Sequence, residues 1–374
     1  MAAPKLVLSA RFQVLYLLAV LLGYTSACDG VCSQEIIGAL QGVGGSDLLQ
    51  PASNCANNSD NDLNFPDSMA EFGEPAMVEG KADIARASVP VYDVRPAPGK
   101  GLGVFAKHHL KRGTPILIEE PAFSVPLPTE MVPGQGFKIE HMIAGIEAGF
   151  ESLLPDQKEE YLNLHEFHPS EGNSNLLMTI FTTNAYTMDD EHVGIFPKIA
   201  RINHSCKPNT LNWWSVKTRR RIMYTSRDIE KGEEITVSYI PLLKTTMARQ
   251  HRLKQYGFTC DCSACKSSEG DKRRVRMSDA LDYLEQKQFS PTKKLSIKEK
   301  RINKSVNLVN MLEAEGLPDY LAQAYHFAAV FNQQGGHLRE AREWAMKELE
   351  MLQLAERGSE ESLKAMEYLK NLNT

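Results

Sequence analysis

The sequence predicts an α+β fold: a β-fold of short sheets with a helical insertion, followed by an α-helical C-terminal region. Three observations carry that expectation. From Pro90 to Tyr239, short strand-like runs recur between Gly and Pro turns. A stretch of helical texture, about residues 138–182, interrupts them. Beyond Lys272 the strand signal stops and only helical periodicity remains.

The first runs are Val91-Tyr92-Asp93-Val94, Gly103-Val104-Phe105-Ala106 and Pro115-Ile116-Leu117-Ile118. Helix follows from about His141 to Asn184, including Leu153–His165 and Asn175–Thr183. Strands resume at Thr210–Trp214 and Arg221–Thr225. Ile235, Val237 and Tyr239 then alternate with Thr236 and Ser238, as a half-buried strand does, so Tyr239 is expected at a strand end. Many short strands around a helical insertion argue against a doubly wound sheet. The tail predicts helices at Asp279–Gln288, Ile297–Glu315, Tyr320–Gln334 and Leu338–Arg357, punctuated by Gly316-Leu317-Pro318 and Gly335-Gly336. Its last pair has the texture of a tetratricopeptide-like unit, which cannot bury its own apolar face and must pack elsewhere.

At 374 residues the chain exceeds one average domain. Lys5 and Arg11, the apolar run Val14–Leu22 and the small-residue site before Cys28 make residues 1–27 read as a signal peptide. That run is too short for a stable membrane span, which needs about 20 apolar residues. Residues 28–88, rich in Gly, Ser, Asn, Asp and Pro, read as a disordered leader. A net charge of −5 gives no electrostatic footprint for nucleic acid, so no direct binding to it is expected. The basic runs Lys217–Arg221 and Lys272–Arg276 read as solvated turns or linkers.

Cys260-Asp261-Cys262-Ser263-Ala264-Cys265 can present three sulfurs to one Zn²⁺, which takes four tetrahedral ligands near 2.3 Å. The fourth must come from elsewhere, and Cys206 is the remaining cysteine after Cys55. Such a Cys₄ site has no open position and is structural. Free thiols or a disulfide, the latter in an oxidising compartment, are the alternatives. Arg201-Ile202-Asn203-His204-Ser205-Cys206-Lys207-Pro208-Asn209 is too polar for a core segment, because buried polar groups need partners.

Asn-His-Ser-Cys-x-Pro-Asn, then Gly232-Glu233-Glu234-Ile235-Thr236-Val237-Ser238-Tyr239, then Cys-x-Cys-x-x-Cys resembles the ordered signature of SET-domain lysine methyltransferases. Gly99-Lys100-Gly101-Leu102-Gly103-Val104-Phe105 resembles the family's opening Gly-x-Gly element, weak alone but strong in this order. The SMYD-type subfamily is the most similar: there too a helical insertion precedes Thr183-Asn184-Ala185-Tyr186, and helices follow the post-SET cysteines. Two departures from that subfamily are read in the sequence: no cysteine lies between Cys55 and Cys206, so no MYND finger is expected, and the helical tail reads as shorter than the subfamily's usual one. The resemblance implies a SET domain at 89–250, a post-SET zinc segment at 251–270 and a helical region at 271–374.

It also implies S-adenosyl-L-methionine as cofactor, structural Zn²⁺ on Cys206, Cys260, Cys262 and Cys265, and a protein or peptide lysine, histone or non-histone, as substrate. Backbone at Lys100, Gly101, Leu102 and Gly103 approaches the cofactor, where a Cβ would intrude. Asn184, Asn203 and His204 hydrogen-bond it, and Phe258 lies on its adenine, placed there by zinc. Tyr239 is the catalytic residue and also touches the cofactor, while Tyr186 and Tyr256 wall the lysine channel. Trp213 and Trp214 read as sheet or core residues, not as a methyl-lysine cage.

Two other readings compete. One is a catalytically inactive SET module that acts as a peptide-binding or interaction protein. The other is a secreted cysteine-containing protein, favoured by residues 1–27. Thiolate ligands and S-adenosylmethionine suit a reducing nucleus or cytoplasm better, and that localisation is favoured.

Overall fold

The computed structural model describes residues 90–128, 131–132, 136–137, 139–167, 175–189 and 191–372. The signal-peptide and leader readings fall outside these residues. Twelve strands and nine α-helices lie among the described ones. The chain opens with β1 (Tyr92–Ala97) and β2 (Gly101–Ala106), an antiparallel hairpin pairing Val94 with Val104. β3 (Pro115–Glu119), β4 (Phe123–Pro126), β5 (Met131–Val132) and β6 (Gly136–Phe137) follow. The insertion is α1 (Glu140–Glu151), α2 (Pro155–Leu162) and α3 (Leu176–Asn184), the last capped by the Asn175 side chain accepting from Met178 N at 3.2 Å.

β7 (Tyr186–Thr187), β8 (His192–Ile195), β9 (Asn203–His204), β10 (Thr210–Ser215), β11 (Arg220–Thr225) and β12 (Glu234–Val237) complete the strands. They form sheets in the orders β1-β2-β12-β9, β10-β11-β3, β4-β8-β7 and β5-β6. β9 is the parallel member, with Asn203 opposite Thr236 and His204 opposite Val237. A segment read as too polar for the core therefore contains a short strand, and His204, Cys206 and Asn209 are buried there with polar partners.

After the sheets come α4 (Thr246–Leu253), α5 (Asp271–Lys287), α6 (Leu295–Glu315), α7 (Leu321–Gly335), α8 (Leu338–Ala355) and α9 (Glu360–Asn371). None of the described helices is long and apolar enough to cross a membrane. One large apolar cluster runs from Val104 and Ile235 through Tyr239 and Tyr256 to Leu308 and Phe331, so sheets and tail share a core. A second, with Phe123, Tyr161 and Phe181, unites the insertion with β4 and β8. Each fully buried residue of this size contributes roughly 1.5–3 kcal/mol.

Two sequence expectations are corrected. Tyr239 does not end a strand, because β12 stops at Val237 and the chain turns so that the Tyr239 N–H meets His204 instead of a neighbouring strand. Lys272–Arg276 is no linker: it lies inside α5, and Arg274 is 1% exposed, its guanidinium donating to the carbonyls of Leu242 (2.9 Å) and Cys206 (3.0 Å). Lys217–Arg221 turns into β11 as expected, but Arg221 is fully buried.

Candidate functional site

Cys206, Cys260, Cys262 and Cys265 converge: their sulfurs all lie within 4.8 Å of one another, and Cys206 and Cys265 are 3.5 Å apart. Tetrahedral bonds near 2.3 Å require sulfurs about 3.8 Å apart, so the donor set fits one thiophilic ion such as Zn²⁺. Hydrogen bonds from the Cys206, Cys260 and Cys265 thiols draw the Cys262 thiol below its ordinary range. Cys265 is lowered to about 7, chiefly by Cys206, whereas Cys206 itself is pushed up by its three neighbours and by burial. The crowding favours shedding protons to a cation over keeping four neutral thiols.

Two residues that sequence reasoning missed shape this knuckle. Gln250 clamps Cys260 reciprocally, donating to its carbonyl at 2.6 Å and accepting its N–H at 3.0 Å. Buried Arg249 donates to the carbonyls of Lys244 (2.5 Å) and Ala264 (3.0 Å). Both sit on α4 just ahead of the cysteines, but nothing in their spacing reveals the pairing.

The knuckle carries the segment Tyr256-Gly257-Phe258 into the aromatic part of the site. Gly257 has φ +79°, and a Cβ there would stand 2.3 Å from the Phe167 ring, so no other residue fits this turn. Tyr239 is 8% exposed, with its ring centroid 5.1 Å from Tyr256, 5.4 Å from His204 and 6.4 Å from Phe258. Its hydroxyl donates to the Ile202 carbonyl at 2.5 Å, and its carbonyl accepts the Tyr256 hydroxyl at 3.2 Å.

Asn203 reaches back to the hairpin, donating to the Leu102 carbonyl (3.0 Å) and to Glu234 (2.9 Å). Lys100 pairs with Glu234 at 2.7 Å; burial opposes its charge, but the carboxylate outweighs this and raises the ammonium pKa. Glu234 thus joins two predicted residues, a role the Gly-Glu-Glu motif did not disclose. Gly103 does need to be glycine, since a Cβ would meet Asn203, Ala97 and Glu234 at 2.9–3.0 Å. Gly101 has open space around its Cβ position; there the constraint is φ +71°.

A cavity of about 410 Å³ opens beside this cluster, and Lys100, His204, Phe258, Thr236 and Arg227 are on its wall. Asn184 sits apart from it and donates to the carbonyls of His165 (2.7 Å) and Ile180 (2.8 Å). His165 in turn donates through Nε2 to the Tyr256 carbonyl at 3.2 Å, so Asn184 reaches the aromatic cluster indirectly. Tyr186 is buried in edge contact with Phe196 at 6.0 Å, with the Arg221 guanidinium 4.8 Å from its ring.

Residues 101–240 match the SET domain family model. The chain is 31% identical over 186 residues to "Histone-lysine N-methyltransferase set5" of Schizosaccharomyces pombe, covering 50% of this chain and 53% of that protein. It is 36% identical over 128 residues to "N-lysine methyltransferase SMYD2" of Gallus gallus, covering 33% and 29%, and 34% identical over 131 residues to the Homo sapiens protein of that name, covering 32% and 30%. The matches span about half the length of the first relative and under a third of the other two. With its Asn-His strand beside β12 and Tyr239 packed against that strand's histidine, the segment 101–240 is thus a SET domain, homologous to the SET5 and SMYD2 lysine methyltransferases.

Proposed function

We propose that this chain is an S-adenosylmethionine-dependent protein-lysine N-methyltransferase whose cysteine knuckle holds a structural Zn²⁺. The observation that carries the reading is the packing of Tyr239 against His204, Tyr256 and Phe258, each positioned by the knuckle or by the strand that precedes Cys206. Relatives named as lysine methyltransferases match this chain at 31–36% identity over 128–186 residues, which supports the reading.

S-adenosylmethionine supplies an electrophilic sulfonium methyl when bound. Lys100, Gly101, Leu102, Gly103, Asn184, Asn203, His204, Tyr239 and Phe258 hold it in our reading, with Cys206, Cys260, Cys262 and Cys265 fixing Phe258 through the metal. By donating to Ile202, the Tyr239 hydroxyl turns its oxygen toward accepting, which suits orienting a methyl group and a target nitrogen. Tyr186 and Tyr256 wall the channel for the substrate lysine. A lysine amine has a reference pKa near 10.4, and an apolar channel lowers it by penalising the ammonium. The substrate is a lysine of a protein or peptide, and a reducing compartment suits the thiolates.

The test is methyl transfer from radiolabelled S-adenosylmethionine to arrays of lysine peptides and to whole histones. Incorporation by the purified protein that is lost in Tyr239→Phe supports the reading. A folded, zinc-loaded protein that labels none of these, while binding lysine peptides, favours an inactive SET module.

A further inference from the structure

A second cavity, sharing no lining residue with the one beside Tyr239, lies between the β10–β11 sheet and helices α7 to α9. Its size, about 140 Å³, is close to the roughly 150 Å³ that admits a benzene-sized molecule. Trp213, Tyr224 and Tyr368 supply aromatic surface to its wall. Asp319 joins them from the turn before α7, and its Oδ2 atom is withdrawn from solvent with no hydrogen-bond partner. A buried carboxylate oxygen without a partner is costly and is seldom left so without a reason. Other charges on the wall are already matched: His326 with Glu348 at 3.1 Å, and Lys364 with Glu360 just outside. Glu361 adds a further acid at the rim.

We propose that this cavity binds a small organic ammonium ion, an amine carrying one ring-sized apolar body, with Asp319 Oδ2 accepting from the ammonium and Trp213, Tyr224 and Tyr368 enclosing the body. A cation satisfies the orphan oxygen and gains from aromatic faces, which a neutral apolar guest does only in part. The inference does not depend on methyl transfer.

Burial raises the Asp319 carboxyl to about 7, so the acceptor becomes charged as pH rises through neutrality. His326 is opposed by burial but raised by Glu348, and its deprotonation with rising pH also favours a cation. Tyr224 and Tyr368 are both pushed by burial to titrate well above this range. Affinity therefore strengthens from about pH 5.5 to about pH 8.

The test is calorimetric titration of the whole chain with benzylamine, and with benzyl alcohol as its neutral analogue. Benzylamine should bind saturably at about pH 8, roughly tenfold tighter than the alcohol and roughly tenfold tighter than to Asp319→Asn, as expected of a charge-assisted contact. Ala365→Phe, which fills the cavity from α9, should abolish binding at both pH values. Equal affinity for amine and alcohol, unchanged affinity in Asp319→Asn, or no saturable binding to the folded wild type overturns the proposal.

Discussion

His204 Nε2 stands 3.3 Å from Cys206 Sγ, while Nδ1 of the same ring accepts the Tyr239 N–H at 3.0 Å. Since Nδ1 accepts, Nε2 carries the proton and points it at the sulfur. One imidazole therefore links a sulfur of the proposed metal site to the backbone of the proposed catalytic tyrosine. His204→Ala should cost about 1–3 kcal/mol in denaturant unfolding, the cost of leaving buried partners unpaired. It should also weaken S-adenosylmethionine binding, whereas a stability loss with unchanged binding would limit His204 to a structural role.

Metal should be bound at close to one Zn²⁺ per chain, and Cys262→Ser should abolish it in elemental analysis of purified protein. Acid should release the ion as the thiolates regain protons. Because the knuckle shares the main core, the stripped protein should melt at a lower temperature than the loaded one.

Arg274 tests how far the helical tail supports the site. Arg274→Met leaves the Cys206 and Leu242 carbonyls without this donor, and a loss of roughly 2–6 kcal/mol is expected, about 1–3 for each orphaned group. A near-neutral result in urea unfolding would mean that α5 merely lies alongside.

Glu119 should give stability a pH dependence opposite to that of a paired acid. Burial raises its carboxyl to about 7, against the N–H groups of Lys198 (3.0 Å) and Ile199 (2.9 Å) that it accepts. Between its unfolded pKa and about 7 the folded state binds the extra proton, so this contribution falls as pH rises across that window. Glu119→Gln should flatten the curve of unfolding midpoint against pH there; an unchanged slope would contradict the assignment.

What was legible in the sequence was what short-range chemistry dictates. The Cys-x-Cys-x-x-Cys spacing foretold a cluster of sulfurs, and Cys206 joins the other three in space. Helix α6 ends at the predicted Glu315, where Gly316 takes φ +66°. The rest depends on partners distant in sequence. β4, β7 and β8 carry too few residues to show a period, and β4 finds its partner β8 only on the far side of the insertion. Arg274 looked like a solvated charge because its two carbonyl partners lie 32 and 68 residues away. Glu234 and Gln250 were invisible as positioning residues for the same reason. Tyr239 was placed on a strand, since alternation of side chains continues past the last ladder bond.

The central claim is that the cysteine knuckle builds the cofactor pocket by placing Tyr256 and Phe258 against Tyr239. Calorimetric titration of S-adenosylmethionine into zinc-loaded wild type, Tyr239→Phe and metal-stripped protein tests it most directly. Binding that persists in Tyr239→Phe and disappears on metal removal is the predicted result. No binding to folded, zinc-loaded wild type, or equal binding with and without metal, would contradict it.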